Sequence, residues 1–254
     1  MSKKDKIKIL IIIPVDTNIF NQRLKECIDE ICPPDVTFDI RHVEGKSART
    51  HIQNRTDYYV NSPLIMNTAI KLQKEKKYDG IFVTDFDFCG VEATRENVDV
   101  PVIGGFRPQA MAAIALSEKI GLITLTDTIV AMQEEHFRSF GILPNLACIL
   151  PTGLGVQALA DPELAKQKVF EKAMEAIALG AQSIILGCTG FIGIARPVAK
   201  MLKKAGFDIP VTDPNHMAFT YLVALVRNKL MQSRLTYYKD VPQKKPKSHK
   251  HDCD

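Results

Sequence analysis

Apolar residues occur along this chain in two alternating patterns. Short apolar runs, most of them too short for helices, predict buried strands at 8–14, 36–43, 80–84, 101–103, 120–124, 147–150, 184–187 and 209–212. Between them, segments with helical periodicity predict helices at 21–31, 63–77, 91–97, 110–117, 129–140, 161–179, 192–204 and 215–232. Because strands and helices alternate throughout, the pattern predicts an α/β fold built on parallel sheets.

The two halves of the chain repeat each other. The matching segments are 81–88 with 184–191, 11–17 with 122–128, and 101–103 with 210–212. The first match has no gap and aligns Asp85 with Cys188. Three matches in the same order predict two pseudo-symmetric lobes, each a parallel sheet flanked by helices, with an active site in the cleft between them.

We place the first lobe at 1–115 and the second at 116–213, with a final helix in 214–235 that returns to the first lobe. A basic tail, 241–254, follows and is expected to be disordered. Its residues His249, His251 and Cys253 could bind a metal weakly, but a solvated tail is the favoured interpretation.

Composition excludes several function classes. The chain has 254 residues, 46% of them hydrophobic, and a formal net charge of +4 that is concentrated in the tail. Nucleic acid is therefore not an expected partner. No apolar run is long enough for a membrane span, and the N-terminus does not resemble a signal peptide, so we expect a cytoplasmic protein. The six cysteines form no C-x-x-C pair, which favours neither a zinc site nor a disulfide framework.

Cys188 is the principal candidate for chemistry. It ends an apolar run and enters the turn Cys-Thr-Gly, at the sheet edge where ligands bind in α/β proteins. A helix predicted at 192–204 would favour a thiolate at this position. The alternative is a buried structural cysteine.

Further polar residues follow predicted strands and could contact a substrate. Asp16 and Thr17 follow the first strand and either cap a helix or hold an anionic ligand. Thr126 follows the matching strand of the second half and either binds a carboxylate or acts as a cap. Thr189 and Gly190 could supply backbone N–H groups to an anion.

Several segments together resemble the aspartate/glutamate/hydantoin racemase superfamily, in its hydantoin and allantoin branch. They are Leu-Gly-Cys-Thr-Gly around Cys188, His51-Ile52-Gln53-Asn54, Ala93-Thr94-Arg95-Glu96 followed by Pro101, and Pro210-Val211 followed by Asp213. The resemblance implies proton abstraction and return at a carbon next to a carboxylate or imide carbonyl, without cofactor or metal. It also implies a small-molecule carboxylate or imide substrate, and we expect a homo-oligomer.

In this superfamily two cysteines flank the substrate carbon, one from each lobe. Here the internal repeat puts Asp85 in the first cysteine's position, while Cys89 lies four residues later. Burial beside Phe86 would raise the pKa of Asp85. Phe86 and Asp87, which follow Asp85, are further candidates to contact the substrate. The alternatives are a shifted turn that brings Cys89 to the cleft, a decarboxylase, lyase or isomerase on the same scaffold, and a non-catalytic small-molecule binding protein.

Overall fold

The computed structural model of the protein describes residues 6–43 and 45–239. The predicted tail 241–254, with His249, His251 and Cys253, lies outside the described residues. The strands are β1 Ile7–Ile13, β2 Val36–His42, β3 Gly80–Val83, β4 Val102–Ile103, β5 Ile120–Thr124, β6 Leu146–Pro151, β7 Ser183–Leu186 and β8 Val211–Thr212. The helices are α1 Asn21–Asp29, α2 Arg55–Lys76, α3 Val91–Asn97, α4 Phe106–Leu116, α5 Val130–Ser139, α6 Pro162–Ala178, α7 Ala195–Lys204 and α8 Pro214–Arg227.

The strands form two parallel sheets of four strands each, flanked by helices. Their orders are β2-β1-β3-β4 and β6-β5-β7-β8, so corresponding strands take the same position in each sheet. The central strands of both sheets are buried along most of their length, which explains why they are nearly continuous apolar runs. The predicted α/β fold with two pseudo-symmetric lobes is confirmed.

Strand register agrees with the internal sequence repeat residue by residue. In the first sheet Ile11 pairs with Phe82 and Ile81 with Val102; in the second Leu122 pairs with Ile185 and Ile184 with Val211. The sequence matches described above align each pair of the first sheet with the corresponding pair of the second sheet. The aligned positions are therefore equivalent in space as well as in sequence.

Helix α1 begins at Asn21 as predicted, but the caps considered for it are wrong. The predicted starts of α2, α4 and α7 are also wrong, and α4 begins at Phe106 rather than at 110. The N-terminal cap position of α1 is Phe20, and no side chain caps the helix, so Asp16 and Thr17 are not its caps. Helix α2 begins at Arg55 with Asn54 as its cap, and Pro63 lies inside the helix rather than at its start. Helix α7 begins at Ala195, because a turn rather than a helix follows Cys188.

Helix α8 packs against β3 of the first sheet. A methyl group on Gly80 would lie 3.0 Å from the Leu222 side chain and 3.1 Å from that of Val226, so strand and helix are in close contact. The start of α8 is capped by Asp213, whose carboxylate accepts hydrogen bonds from the backbone N–H groups of Asn215 and His216. The exact lobe boundaries remain a prediction.

Candidate active site

Two equivalent turns meet at the carboxyl edges of the sheets. Asp85 is the second residue after β3, and Cys188 is the second residue after β7. The Thr189 hydroxyl donates a hydrogen bond of 2.6 Å to the backbone carbonyl of Thr84, which joins the two turns directly. This contact ties the first sheet to the second beside the candidate catalytic groups.

A pocket of about 470 Å³, including space open to solvent, lies at this junction. Its lining consists of Ile13, Pro14, Val15, Phe20, Leu24, Ile52, Thr84, Asp85, Val156, Cys188, Thr189, Gly190, Ile192 and Asn215. Most of these residues are apolar, and the lining that the structure describes contains no Lys, Arg or His. A pocket of this kind suits a small molecule with an apolar part and few charges.

The Asp85 side chain is 8% exposed, and its Oδ1 accepts a 2.8 Å hydrogen bond from the Cys89 backbone N–H. Burial raises the pKa of Asp85 to about 7, and the nearby negative charge of Asp87 contributes to the rise. The backbone hydrogen bond acts in the opposite direction but does not cancel the burial. A carboxyl group with this pKa can accept or donate a proton near neutral pH.

Cys188 faces the same pocket with part of its surface, and the rest is enclosed by protein. Its Sγ accepts a hydrogen bond of 3.2 Å from the Gly190 backbone N–H. Burial nevertheless raises the pKa of Cys188 to about 12. The expectation that a helix begins directly beside the thiol is wrong, because α7 begins only at Ala195. The single N–H group of Gly190 does not offset the desolvation that raises the pKa.

Gly190 has a steric as well as a hydrogen-bonding role. A methyl group at this position would lie 2.7 Å from Leu159 Cδ1 and 3.3 Å from Cys188 Sγ. A larger residue would displace the Leu159 side chain and crowd the Cys188 thiol. Thr189 also lines the pocket, but its hydroxyl is already bonded to the Thr84 carbonyl, which leaves it a linking role.

Cys89 lies behind the turn rather than in the pocket. Its side chain is 0% exposed, its Sγ lies 3.2 Å from the Tyr58 carbonyl oxygen, and it is 3.4 Å from the Ser62 hydroxyl. Burial, followed by the charge of Asp85, raises the pKa of its thiol far above the ordinary value. Cys89 is not among the residues that line the pocket.

Phe86 and Asp87 point away from the pocket lining. Phe86 packs edge-to-face on Phe106, with ring centroids 5.3 Å apart. The Asp87 carboxylate is buried against α5, where Oδ1 lies 3.0 Å from His136 Nε2 and Oδ2 accepts a hydrogen bond from Gln133. Asp87 therefore acts on Asp85 through its charge.

Asp16, Thr17 and Thr126 lie outside the residues that line the pocket. The Asp16 carboxylate is 3.7 Å from His42 Nδ1, and the Thr17 hydroxyl accepts a long hydrogen bond from the Ile19 backbone N–H. The Thr126 hydroxyl is 2.8 Å from that of Thr128. The structure does not bring these three residues together with Asp85 and Cys188.

Two residues that sequence reasoning did not assign to the site lie at or beside the pocket. Asn215, near the start of α8, is fully buried and lines it. Arg23 of α1 donates hydrogen bonds to the carbonyl oxygens of Leu159 and Ile192, which connects the first lobe to the second next to the pocket. The Asp213-Pro214 helix start after β8 was the available signal for Asn215, since it puts the next residue at the sheet edge.

Cys27, Asp213 and His216 form a buried group whose side-chain ligand atoms all lie within 4.8 Å of one another. Each is engaged by protein atoms. His216 Nε2 lies 2.9 Å from the Cys27 carbonyl oxygen and 3.2 Å from its thiol, and the Asp213 carboxylate also accepts from the Gly193 backbone N–H. These contacts indicate that the three residues stabilise the start of α8.

Comparisons with known proteins agree with this architecture. The model of the family described as Asp/Glu/Hydantoin racemase matches residues 9–222. The hydantoin racemase of Paenarthrobacter aurescens is 25% identical over 244 residues, which cover 94% of this chain and 99% of that protein. The solved structures that share the fold include two allantoin racemases. Allantoin racemase from Pseudomonas fluorescens has a TM-score of 0.83 at 22% identity and covers 94% of this chain and 99% of its own.

The second structure is allantoin racemase from Klebsiella pneumoniae, with a TM-score of 0.81 at 21% identity, which covers 90% of this chain and 91% of its own. Among the described residues, no helix is both long and apolar enough to cross a membrane.

The family model spans both sheets and includes the turns of Asp85 and Cys188. This chain belongs to the Asp/Glu/hydantoin racemase family of enzymes.

Proposed function

We propose that the protein is a cofactor-independent racemase or epimerase in which Asp85 and Cys188 move a proton at a carbon next to a carbonyl group. The observation that carries this proposal is that the two groups come from equivalent turns and line one pocket. A carbon held between them would present one face to the carboxyl group and the other to the thiol. Both groups can transfer protons, as general acid–base catalysis requires.

The pKa values decide which group begins as the base. Near neutral pH a substantial fraction of Asp85 is ionised, since its pKa is about 7, whereas Cys188 is a thiol, since its pKa is about 12. The Asp85 carboxylate removes the proton, and the electron pair of the C–H bond moves onto the neighbouring carbonyl. The Cys188 thiol then donates its proton to the opposite face. Exchange with solvent afterwards returns the proton on Asp85 to the thiolate.

The pocket lining supports a neutral imide over a free amino acid or diacid. An anionic substrate would enter next to Asp85 without a positively charged partner among the described lining residues. A cyclic imide or ureide has an activated carbon next to a carbonyl and no carboxylate. We therefore infer a hydantoin-like substrate, with an apolar substituent that contacts Ile13, Val15 or Phe20.

The pocket lining and the raised pKa of Asp85 weigh against the two rival functions. A malonate decarboxylase must accept two carboxylates, for which the described lining offers no cation. A non-catalytic binding protein has no need of a carboxyl group whose buried environment raises its pKa to about 7 beside a thiol. Cys89 takes no part in the proposed reaction, because it is outside the pocket lining.

The test is proton exchange in D₂O. Each enantiomer of 5-benzylhydantoin would be incubated with the purified protein, while NMR follows deuterium at C5 and circular dichroism follows loss of optical activity. We expect both signals to change faster than in the enzyme-free reaction. Free phenylalanine and phenylmalonate serve as comparison substrates. Exchange or carbon dioxide release with either of them, and none above background with the hydantoin, would contradict the proposal.

A further inference from the structure

Asn215 lines the pocket and carries a buried hydrogen-bond acceptor that has no partner among the described residues. Its side chain is fully buried and lines the same pocket as Asp85 and Cys188. Its Oδ1 is buried and has no hydrogen-bond partner within residues 6–43 and 45–239. A buried amide oxygen without a partner is unfavourable, and such groups in native proteins are uncommon. Because the residue lines the pocket, a molecule bound there is the candidate partner.

The orientation of the Asn215 side chain is fixed by two neighbours. The Asp213 carboxylate accepts a 2.9 Å hydrogen bond from the Asn215 backbone N–H, which holds the first turn of α8. The Asn215 Nδ2 donates a 2.9 Å hydrogen bond to the Thr189 carbonyl oxygen. If the amide were flipped, its oxygen would face that carbonyl, acceptor against acceptor. The nitrogen therefore stays on Thr189, and the oxygen keeps its unsatisfied position.

We propose that Asn215 is a specificity-determining residue that recognises the substrate through a hydrogen bond from a substrate N–H group to Oδ1. This inference rests on the proposed function, because it assumes that the substrate binds between Asp85 and Cys188. An amide carbonyl oxygen accepts and does not donate, so the matching substrate atom must carry hydrogen. A substrate with a methylated nitrogen at that point leaves the acceptor unpaired and places a methyl group against it.

The contact with Thr189 makes this recognition local to the reacting groups. Thr189 directly follows Cys188, and its hydroxyl bonds to the Thr84 carbonyl, next to Asp85. Asn215 is thus linked to both catalytic turns through one residue. A substrate nitrogen on Oδ1 would be held beside the carbon whose proton is exchanged. We expect the recognised N–H to belong to the ring that contains this carbon.

The experiment compares 5-benzylhydantoin with its 1-methyl and 3-methyl derivatives. The kcat/KM for exchange at C5 is measured for each and divided by the enzyme-free exchange rate of the same compound. In the wild-type protein we expect one of the two methylations to lower this ratio by about tenfold or more, the size of one lost hydrogen bond in a buried site. In Asn215→Leu that discrimination should fall to within about twofold.

Two further variants separate recognition from structure. Asn215→Asp keeps an acceptor oxygen but loses the Nδ2 donor to Thr189, so it should keep the preference for N–H while losing overall rate. Gln232→Met is the matched control. Gln232 also has an unpartnered buried Oε1 and an amide nitrogen bonded to backbone carbonyls, but it lies outside the pocket of Asp85. It should leave discrimination unchanged.

The failures can be told apart. No exchange above background with any hydantoin in the wild-type protein contradicts the proposed function, and this inference with it. Exchange with hydantoins, but equal ratios for N–H and N-methyl compounds in the wild type, contradicts the inference alone. A discrimination that persists in folded Asn215→Leu also contradicts it, since another group would then be reading the N–H. The wild-type comparison stands even where Asn215→Leu does not fold.

Discussion

Asp85 and Cys188 occupy the same position relative to their sheets. In the first lobe the backbone N–H of Thr84, which precedes Asp85, donates to the carbonyl oxygen of Ile12 in β1. In the second lobe the N–H of Gly187, which precedes Cys188, donates to the carbonyl oxygen of Ile123 in β5. The two turns are thus held by the same hydrogen bond in each lobe, and they place different side chains at the equivalent position. One lobe supplies a carboxyl group and the other a thiol, which makes the proposed proton transfer chemically asymmetric.

The order of damage among three variants tests the assignment of these roles. We expect Asp85→Asn and Cys188→Ala each to reduce racemisation of 5-benzylhydantoin by about a thousandfold or more, since inversion at C5 needs an acid–base group on each face. Cys89→Ala should lose less than about threefold, because the thiol lies behind the turn. Turnover and thermal unfolding would be measured for all three. Loss of activity in folded Cys89→Ala, with Asp85→Asn active, would mean that Cys89 is the first-lobe acid–base group.

The pH dependence of kcat/KM should reflect one carboxyl and one thiol group. For the enantiomer whose proton faces Asp85, the reaction needs ionised Asp85 and protonated Cys188, whose pKa values are about 7 and about 12. The rate should therefore rise with pH through about 7 and then stay level into the alkaline range, after correction for ionisation of the substrate. In Asp85→Asn the rising limb should be absent from any residual activity. A falling limb close to the ordinary cysteine pKa would instead indicate a thiolate as the resting base.

Ionisation of Asp85 should lower the free energy of unfolding at neutral pH. Its folded-state pKa is raised to about 7, whereas an unfolded Asp has a pKa of about 4. The folded state therefore binds the proton more tightly, and unfolding free energy present at low pH is lost as pH rises from about 4 to about 7. The loss is at most about 4 kcal/mol. Asp85→Asn should be more stable than the wild type at pH 8, and this advantage should shrink towards pH 4.

Unfolding in urea across this pH range would measure the effect. Asp35→Asn is the control, because Asp35 is an exposed carboxylate paired with Arg227 on the surface. Asp35→Asn should change the free energy of unfolding by a small amount, and this change should not increase from pH 4 to pH 8 as it does for Asp85→Asn. An Asp85→Asn variant with no pH-dependent gain would contradict the burial of an ionisable carboxyl group at this position.

Arg23 should affect substrate binding more than the chemical step. Its guanidinium joins α1 to the carbonyl oxygens of Leu159 and Ile192, beside the pocket wall formed by Leu24 and Ile192. Arg23→Ala should raise KM several-fold with a smaller change in kcat, because the two lobes lose a positioning contact. Arg196→Ala is the control, since it removes an exposed ion pair with Glu30 between α7 and α1. Equal effects of both variants would contradict this role.

The sequence by itself determined the two sheets and the pair of opposed turns. Buried parallel strands are nearly continuous apolar runs, so β1, β3, β5 and β7 could be recognised locally. The repeat then fixed which residues are equivalent, and the strand register bears this out. The superfamily was accessible for the same reason, because its most specific motif is a short local turn around Cys188.

Helix starts were less accessible, because local signals compete. Pro63 indicated a helix start, but Asn54 is the cap that forms, and Pro63 is accommodated within α2. The helix expected directly after Cys188 begins at Ala195 instead. No helix N-terminus therefore lies directly after the thiol to stabilise a thiolate. Such choices depend on how the turn packs against the rest of the protein.

Only the tertiary structure decided which polar groups share the pocket. Asp16, Thr126 and Asp87 all follow strands, but side-chain direction in a turn is set by packing, and Asp87 is taken up by His136. Asn215 reaches the pocket from a helix far along the chain. The sequence predicted that burial raises the pKa of Asp85, and the structure agrees. The size of that rise and the raised pKa of Cys188 were beyond the sequence, because desolvation is produced by residues from many segments that surround each group.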